Sequence, residues 1–152
     1  MENVHDFFKE IESEKSINRK AEMLQEQDNN TKASLMAIFR STFDPKIKWL
    51  VPDSKPPFAE NTEKEWKNCS LYLSEAVMTF GRFCMIDGKL THQALQARFR
   101  NITECESAFI TMLKQLHTSE ADLVMHMIKG KLPYKGLTPR LVNQAFPGLL
   151  PE

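Results

Sequence analysis

The stretch VHDFFKEIESEKSINRKAEMLQEQDNNTKASLMAIFRSTF, residues 4–43, decides the fold class. Val4, Phe7, Phe8 and Ile11 recur at the i, i+3, i+4, i+7 spacing that lines one face of a helix. Ser16 stands in N-cap position before a second helix, whose inner face carries Ile17, Ala21 and Leu24. Asn30 or Thr31 opens a third, with Leu35, Ile38, Phe39 and Phe43 inward. The turns between these elements are very short, which favours antiparallel neighbours.

Outward from this block the character changes once. DPKIKWLVPDSKPPFAENT, residues 44–62, holds four prolines and no helical period. Ile47, Trp49, Leu50, Val51 and Phe58 give it apolar anchors that a disordered linker lacks, so it reads as an ordered strap across the helices. Thr62 to Glu65 has capping-box spacing and begins the next helical region. Its inner stripe is Leu73, Ala76, Val77, Phe80 and Cys84, and Asp87-Gly88 ends it. Thr91 opens a helix with Ala94, Leu95 and Phe99. Thr103 to Glu106 forms a second capping box, before a helix with Phe109, Met112, Leu113 and Leu116 inward. Thr118 or Ser119 caps the following helix, which carries Leu123, Val124, Met127 and Ile128 and stops at Gly130. No β-hairpin, repeat or low-complexity tract is evident. The expectation is an all-α domain over residues 1–152: one compact bundle of roughly seven to eight helices with a Pro-rich strap over 44–62.

Composition narrows the function classes. The chain has 152 residues, a formal net charge of zero and ten phenylalanines. That length buries a real core without disulfides or metal, and a neutral sum creates no global field toward nucleic acid or membrane. Cys69, Cys84 and Cys105 have no CxxC or Cys/His spacing and read as buried thiols. His5, His92, His117 and His126 are scattered, so no metal site is expected. No nucleophile elbow, phosphate-cradling glycine loop or other catalytic constellation appears, and the expectation is a non-enzymatic protein without a cofactor. The N-terminus lacks the basic start and apolar run of a signal peptide, and no stretch approaches the roughly 20 apolar residues that span a bilayer. A cytoplasmic protein with no membrane partner is the expectation.

The charge is unevenly placed. Residues 1–30 hold eight carboxylates against four basic side chains, whereas Leu123 to Pro151 contains no acid beside Lys129, Lys131, Lys135 and Arg140. The tail LPYKGLTPRLVNQAFPGLLPE, residues 132–152, reads as a loop, a short helix and a stop. Gly136 permits the turn, Thr138 is placed to cap, Pro139 takes the first helical position and Pro147 ends the helix near Phe146. A helix start ringed by cations is a candidate phosphate site. Lysines on a loop are also ordinary solvated surface. Arg40, Lys46, Lys48, Arg98 and Arg100 are further basic side chains whose proximity to the tail the sequence leaves open.

The ending TPRLVNQAFPGLLPE resembles the close of the N-terminal DNA-binding domain of phage-type ATP-dependent DNA ligases. The order of the helices follows the same pattern over nearly the whole chain. Small stand-alone phage proteins are also similar, through a DPxxxWLxP-like segment (Asp44 to Pro52) and a YKGLT…AFPxLLP ending (Tyr134 to Pro151). The resemblance implies a helical scaffold in the cytoplasm of an infected bacterial host. It implies a grip on the phosphate backbone of nucleic acid without base specificity, with duplex DNA favoured and RNA the alternative. The resemblance carries Lys135, Gly136, Thr138 and Arg140 over to that grip, and the basic cluster adds Lys129 and Lys131 as candidate nucleic-acid-binding residues. Ligase activity is not expected, because the one Asp-Gly pair, Asp87-Gly88, has Met85 where a nucleotidyl lysine would stand. The contrasting expectation is a phage protein that binds a host protein to alter transcription, RNA metabolism or defence. Its acidic N-terminal helices would then face a basic partner, with Trp66, Tyr72 or Tyr134 as apolar anchors.

Overall fold

A computed structural model describes residues 4–51 and 71–151. The expected helices α1 (Val4–Ser13), α2 (Ile17–Gln25) and α3 (Asn29–Phe43) are present. Val4, Phe8 and Ile11 are fully buried on α1, as are Ile38 and Phe39 on α3. Ser16 caps α2 by accepting from the Arg19 N–H. The face of α2 is rotated from its expected position: Lys20, Ala21 and Leu24 are buried, while Ile17 stands exposed in the first turn. That rotation follows from α2 packing on the last helix, where the Gln25 side chain donates to the Ala145 carbonyl at 2.9 Å and Gln144 donates to Asn18 at 2.8 Å.

The main correction to the all-α expectation lies in the middle of the chain. The protein is mostly helical, but it also contains a small antiparallel sheet of order β1-β2-β3, with β1 Ile47–Trp49, β2 Cys84–Ile86 and β3 Lys89–Leu90. Part of the strap is therefore a strand, registered Ile47 to Ile86 and Trp49 to Cys84. The strap beyond Val51, the Thr62 capping box, Trp66 and Cys69 lie outside the described residues. Asp87-Gly88 is the turn of a β2–β3 hairpin. Both residues have positive φ, 52° and 78°, as a two-residue type I′ turn requires. The stripe Leu73, Ala76, Val77, Phe80 and Cys84 is buried as expected. It runs through a short α4 (Leu73–Ala76), a 3-10 helix (Val77–Phe83) and then β2, rather than one α-helix. Within the 3-10 segment the stripe residues Val77 and Phe80 are three apart, a spacing that either helix type keeps on one face, so the stripe did not reveal the change.

Three further helices follow: α5 (His92–Ala97), α6 (Ile102–Gln115) and α7 (Thr118–Ile128), with α8 (Pro139–Ala145) closing the described fold. Three caps fall earlier than expected. Asp28 accepts from Thr31 N–H at 2.7 Å, Asn101 from Glu104 N–H at 2.9 Å, and His117 from Ser119 N–H at 3.1 Å. Where cap-competent residues are clustered, the one with extended backbone takes the role, and that is a tertiary decision. Thr91 and Thr138 cap as expected. Leu95, expected inward on α5, is 59% exposed.

Two aromatic clusters hold the halves together. Phe8 stacks on Phe39 with ring centroids 5.8 Å apart and meets the edge of Tyr134 at 5.3 Å. Trp49 packs on Phe80 and Phe109, and its indole N–H donates to the Ser41 carbonyl at 3.1 Å, which anchors β1 to α3. Phe83 joins Phe109 and Phe99 in the same cluster. Cys84 and Cys105 are buried, and burial pushes the Cys84 thiol up to about 12. Among the described residues, no helix is long and apolar enough to cross a membrane.

One carboxylate sits inside this core. Glu120, in the first turn of α7, is fully buried, and its Oε1 accepts from the Leu73 N–H of α4 at 3.1 Å. Burial pushes its carboxyl up to about 7; the Leu73 and Val4 backbone N–H groups act against that rise, and the Asp6 carboxylate adds to it. The folded state therefore takes up this proton before the unfolded chain does. Stability falls as pH rises through the window from the ordinary carboxylate value, about 4.3, to about 7. The span corresponds to a loss of about 3 kcal/mol. Glu120→Gln keeps an oxygen acceptor for Leu73 and removes the titration. Urea unfolding across that pH window should show the variant gaining on the wild type as pH rises. A difference between the two that stays constant across the window would refute the assignment.

Candidate functional site

The basic tail emerges from the end of α7. Lys129 follows the last turn as its C-cap, where a cation also complements the helix dipole. Gly130 then turns the chain at φ 84°, close beneath the end of α3: a Cβ there would lie 3.7 Å from the Thr42 carbonyl. Lys131 and Lys135 lie on the following loop, and Arg140 lies in the first turn of α8. All four cations are exposed, and none has an ion-pair partner among the described residues.

The loop itself is clasped from below. Tyr134 is buried in the core, its hydroxyl 2.7 Å from His5 Nδ1. This removes Tyr134 as an exposed protein-binding anchor; Tyr72 is half-buried. The Lys135 N–H donates to the Glu12 carboxylate at 2.6 Å. Lys20, buried at 7% exposure, reaches under the loop with its ammonium 3.5 Å from the Lys135 carbonyl. Gly136 has φ 88°, and a Cβ at this position would run into that ammonium. Its glycine character thus serves both a left-handed turn and the close approach of Lys20.

The start of α8 offers few free amides. Pro139 has no N–H, Leu141 N–H is taken by the Thr138 hydroxyl at 3.4 Å, and Val142 N–H by the Thr138 carbonyl at 3.1 Å. Gly136 and Thr138 therefore shape the loop and cap the helix, and any contact with an anion falls mainly to side chains. Those side chains gain one ally from far away in sequence. Lys48 of β1 and Lys129 line one cleft of about 410 Å³, together with Trp49, Gly130 and Pro139. Asp44 also lines it, with Oδ1 accepting from the Lys46 N–H at 3.0 Å. Of the other basic residues, Arg40, Lys46, Arg98 and Arg100 are not among the lining.

The acidic N-terminal helices are less free than their composition implies. Arg19 bonds Glu22 and Glu26 at 3.2 and 2.8 Å, and Glu14 accepts from the Lys15 and Ser16 N–H groups. Lys20 and Glu12 are the site residues that sequence reasoning missed. Lys20 had one legible signal, a charge at i, i+4 from Leu24 on the buried face; Glu12 had none. Among the described residues, no group of three or more His, Cys, Asp or Glu side chains is placed to hold a metal ion.

Residues 7–134 match the model of a family of unknown function, DUF6433. The chain belongs to that family. The DUF6433 match contains Lys48, Lys129 and Lys131 together with Glu12 and Lys20, and it ends at Tyr134, just before Lys135, Gly136, Thr138 and Arg140. No curated protein and no solved structure matches the chain. Nothing in these comparisons supports the resemblance to the ligase domain.

The clasp makes a testable claim about the loop. Gly136→Ala introduces a Cβ into a left-handed turn and displaces Lys20. The expected cost is about 2 kcal/mol, of which roughly 1–2 is backbone strain. Thermal unfolding of Gly136→Ala and of Gly136→Ala with Lys20→Ala separates the two causes. The double variant should recover only the part due to displaced Lys20. Wild-type stability in the single variant would show that the close approach is absent.

Proposed function

We propose that this chain is a non-enzymatic nucleic-acid-binding protein that grips the phosphate backbone without reading bases. The observation that carries the reading is the convergence of Lys48 and Lys129 on one cleft at the start of α8, with Lys131, Lys135 and Arg140 exposed on the adjoining loop and helix. Cations without internal partners are free to exchange counterions for phosphates, which is the main source of sequence-independent affinity. The clasp by Glu12, Lys20 and Tyr134 supports the reading in a second way. It orders the loop before any ligand arrives, so less conformational entropy is lost on binding. On the residues of the tail alone, read as resembling the phage-type ligase domain, duplex DNA is the first ligand to try, in an accessory role during infection, and RNA the second.

Fluorescence-anisotropy titration of intact duplex, nicked duplex and single-stranded RNA at two salt concentrations tests this. Binding engaging about four phosphates should weaken with a log–log salt slope of about −3 to −4. Changing Lys129, Lys131, Lys135 and Arg140 together to alanine should lower the affinity by about tenfold or more at low salt and flatten that slope. Lys48→Ala should weaken binding in the same direction by a smaller factor. Binding that survives the quadruple change, or that ignores salt, would remove the proposal.

A further inference from the structure

The hairpin, α5 and the start of α6 enclose a second hollow, an apolar groove of about 260 Å³. Leu50, Leu90, Leu95, Phe99 and Ile102 line most of it, with Arg98 in the wall. Leu95, Ile102 and Leu90 are 59%, 52% and 45% exposed, so three large apolar side chains meet water around one depression. Such clustering, unlike single exposed leucines, marks an interaction surface.

Arg98 is the one charged side chain in the lining of the groove. No carboxylate is among its lining residues. Next to lining residues, Lys89 precedes Leu90 and Arg100 follows Phe99 on one side, while Glu104 and Glu106 flank Cys105 on α6, so an acid-binding edge falls to Arg98 and Lys89. Lys89 and Arg98 have no ion-pair partner among the described residues; Arg100 meets Glu104 at 3.7 Å with its own side chain 88% exposed. Arg98 is also one of two described non-glycine residues with positive φ, at φ 53° and ψ 42°. It occupies the left-handed position that ends α5, where glycine is the usual residue because a Cβ is disfavoured there. That turn stacks Phe99 on Phe83 with ring centroids 6.2 Å apart, leads into α6, and leaves an arginine at the groove wall. A strained backbone carrying a charge at the edge of an apolar hollow points to a contact made by that charge.

We propose that this groove docks an amphipathic helix of a partner protein, whose apolar face is flanked by glutamate or aspartate. Apolar side chains at helical spacing sit among Leu90, Leu95 and Ile102, and the flanking carboxylates meet Arg98 and Lys89. This goes beyond the phosphate-gripping reading and does not depend on it: the groove and the basic cleft share no lining residue.

The test titrates the isotope-labelled full chain with two synthetic amphipathic helical peptides of identical leucine face, one flanked by glutamate and one by lysine. Amide shifts should centre on residues 90–102, and the glutamate peptide should bind at least about tenfold more tightly. Leu95→Glu, at a site already open to water, should weaken that peptide by about tenfold or more with the fold retained. Arg98→Gly separates charge from backbone: glycine accepts the left-handed turn, so the thermal midpoint should rise while the preference between peptides falls, and Arg98→Gly with Lys89→Ala should abolish it. Equal binding of the two peptides, no shift at the groove, or a preference that survives the double change Arg98→Gly with Lys89→Ala would overturn the proposal. A concentration-dependent dimer abolished by Leu95→Glu, or duplex DNA shifting the same groove amides, would also overturn it by giving the face another occupant.

Discussion

The packing of Phe8 against Phe39 and Tyr134 is the contact on which the rest of the arrangement depends. It joins α1 to α3 and draws the segment after α7 onto both, so that the chain between Lys131 and Thr138 begins from a fixed point in the core. Phe146 extends the same cluster, with its ring 6.3 Å from Phe39, and so brings in the end of α8. Aromatic side chains in such tilted and edge-on arrangements combine large buried area with preferred geometry. A surface loop set by that cluster is positioned much as a core element is.

The second aromatic cluster does comparable work for the other half. Trp49 is held between Ser41 of α3 and the rings of Phe80 and Phe109, and this brings β1 beside β2. The consequence for function is that one short segment serves both candidate surfaces. Lys48 and Trp49 line the basic cleft, and Leu50 lines the apolar groove. A backbone bond from Leu50 N–H to the Phe83 carbonyl, at 2.7 Å, holds the point where the two surfaces part.

A formal charge of zero conceals how differently the charges are used. Several carboxylates are engaged within the fold: Glu12 binds a loop amide, Glu120 binds the start of α4, and Glu22 and Glu26 share Arg19. The cations at Lys129, Lys131, Lys135 and Arg140 have no such internal partners among the described residues. Local placement therefore decides what field a ligand meets there, because exposed charges beyond about 10 Å are largely screened at ordinary ionic strength.

By itself the sequence determined the helices whose apolar spacing is unambiguous, α1, α3, α6 and α7, and the local chemistry of the tail, with Thr138 as cap and Pro139 at the first helical position. Those features depend on neighbours within a turn or two, which periodicity and capping rules describe directly. It also carried the Asp-Gly signal of the hairpin, obscured by a stripe that fits two kinds of helix. Tertiary structure alone decided that residues 47–49 pair with residues 84–86, that Lys48 joins Lys129, and that Lys20 and Glu12 clasp the loop. It likewise decided that Leu95 faces water although its spacing suits the core. Each of these depends on residues distant in the chain meeting in space, and no local rule encodes which ones will meet.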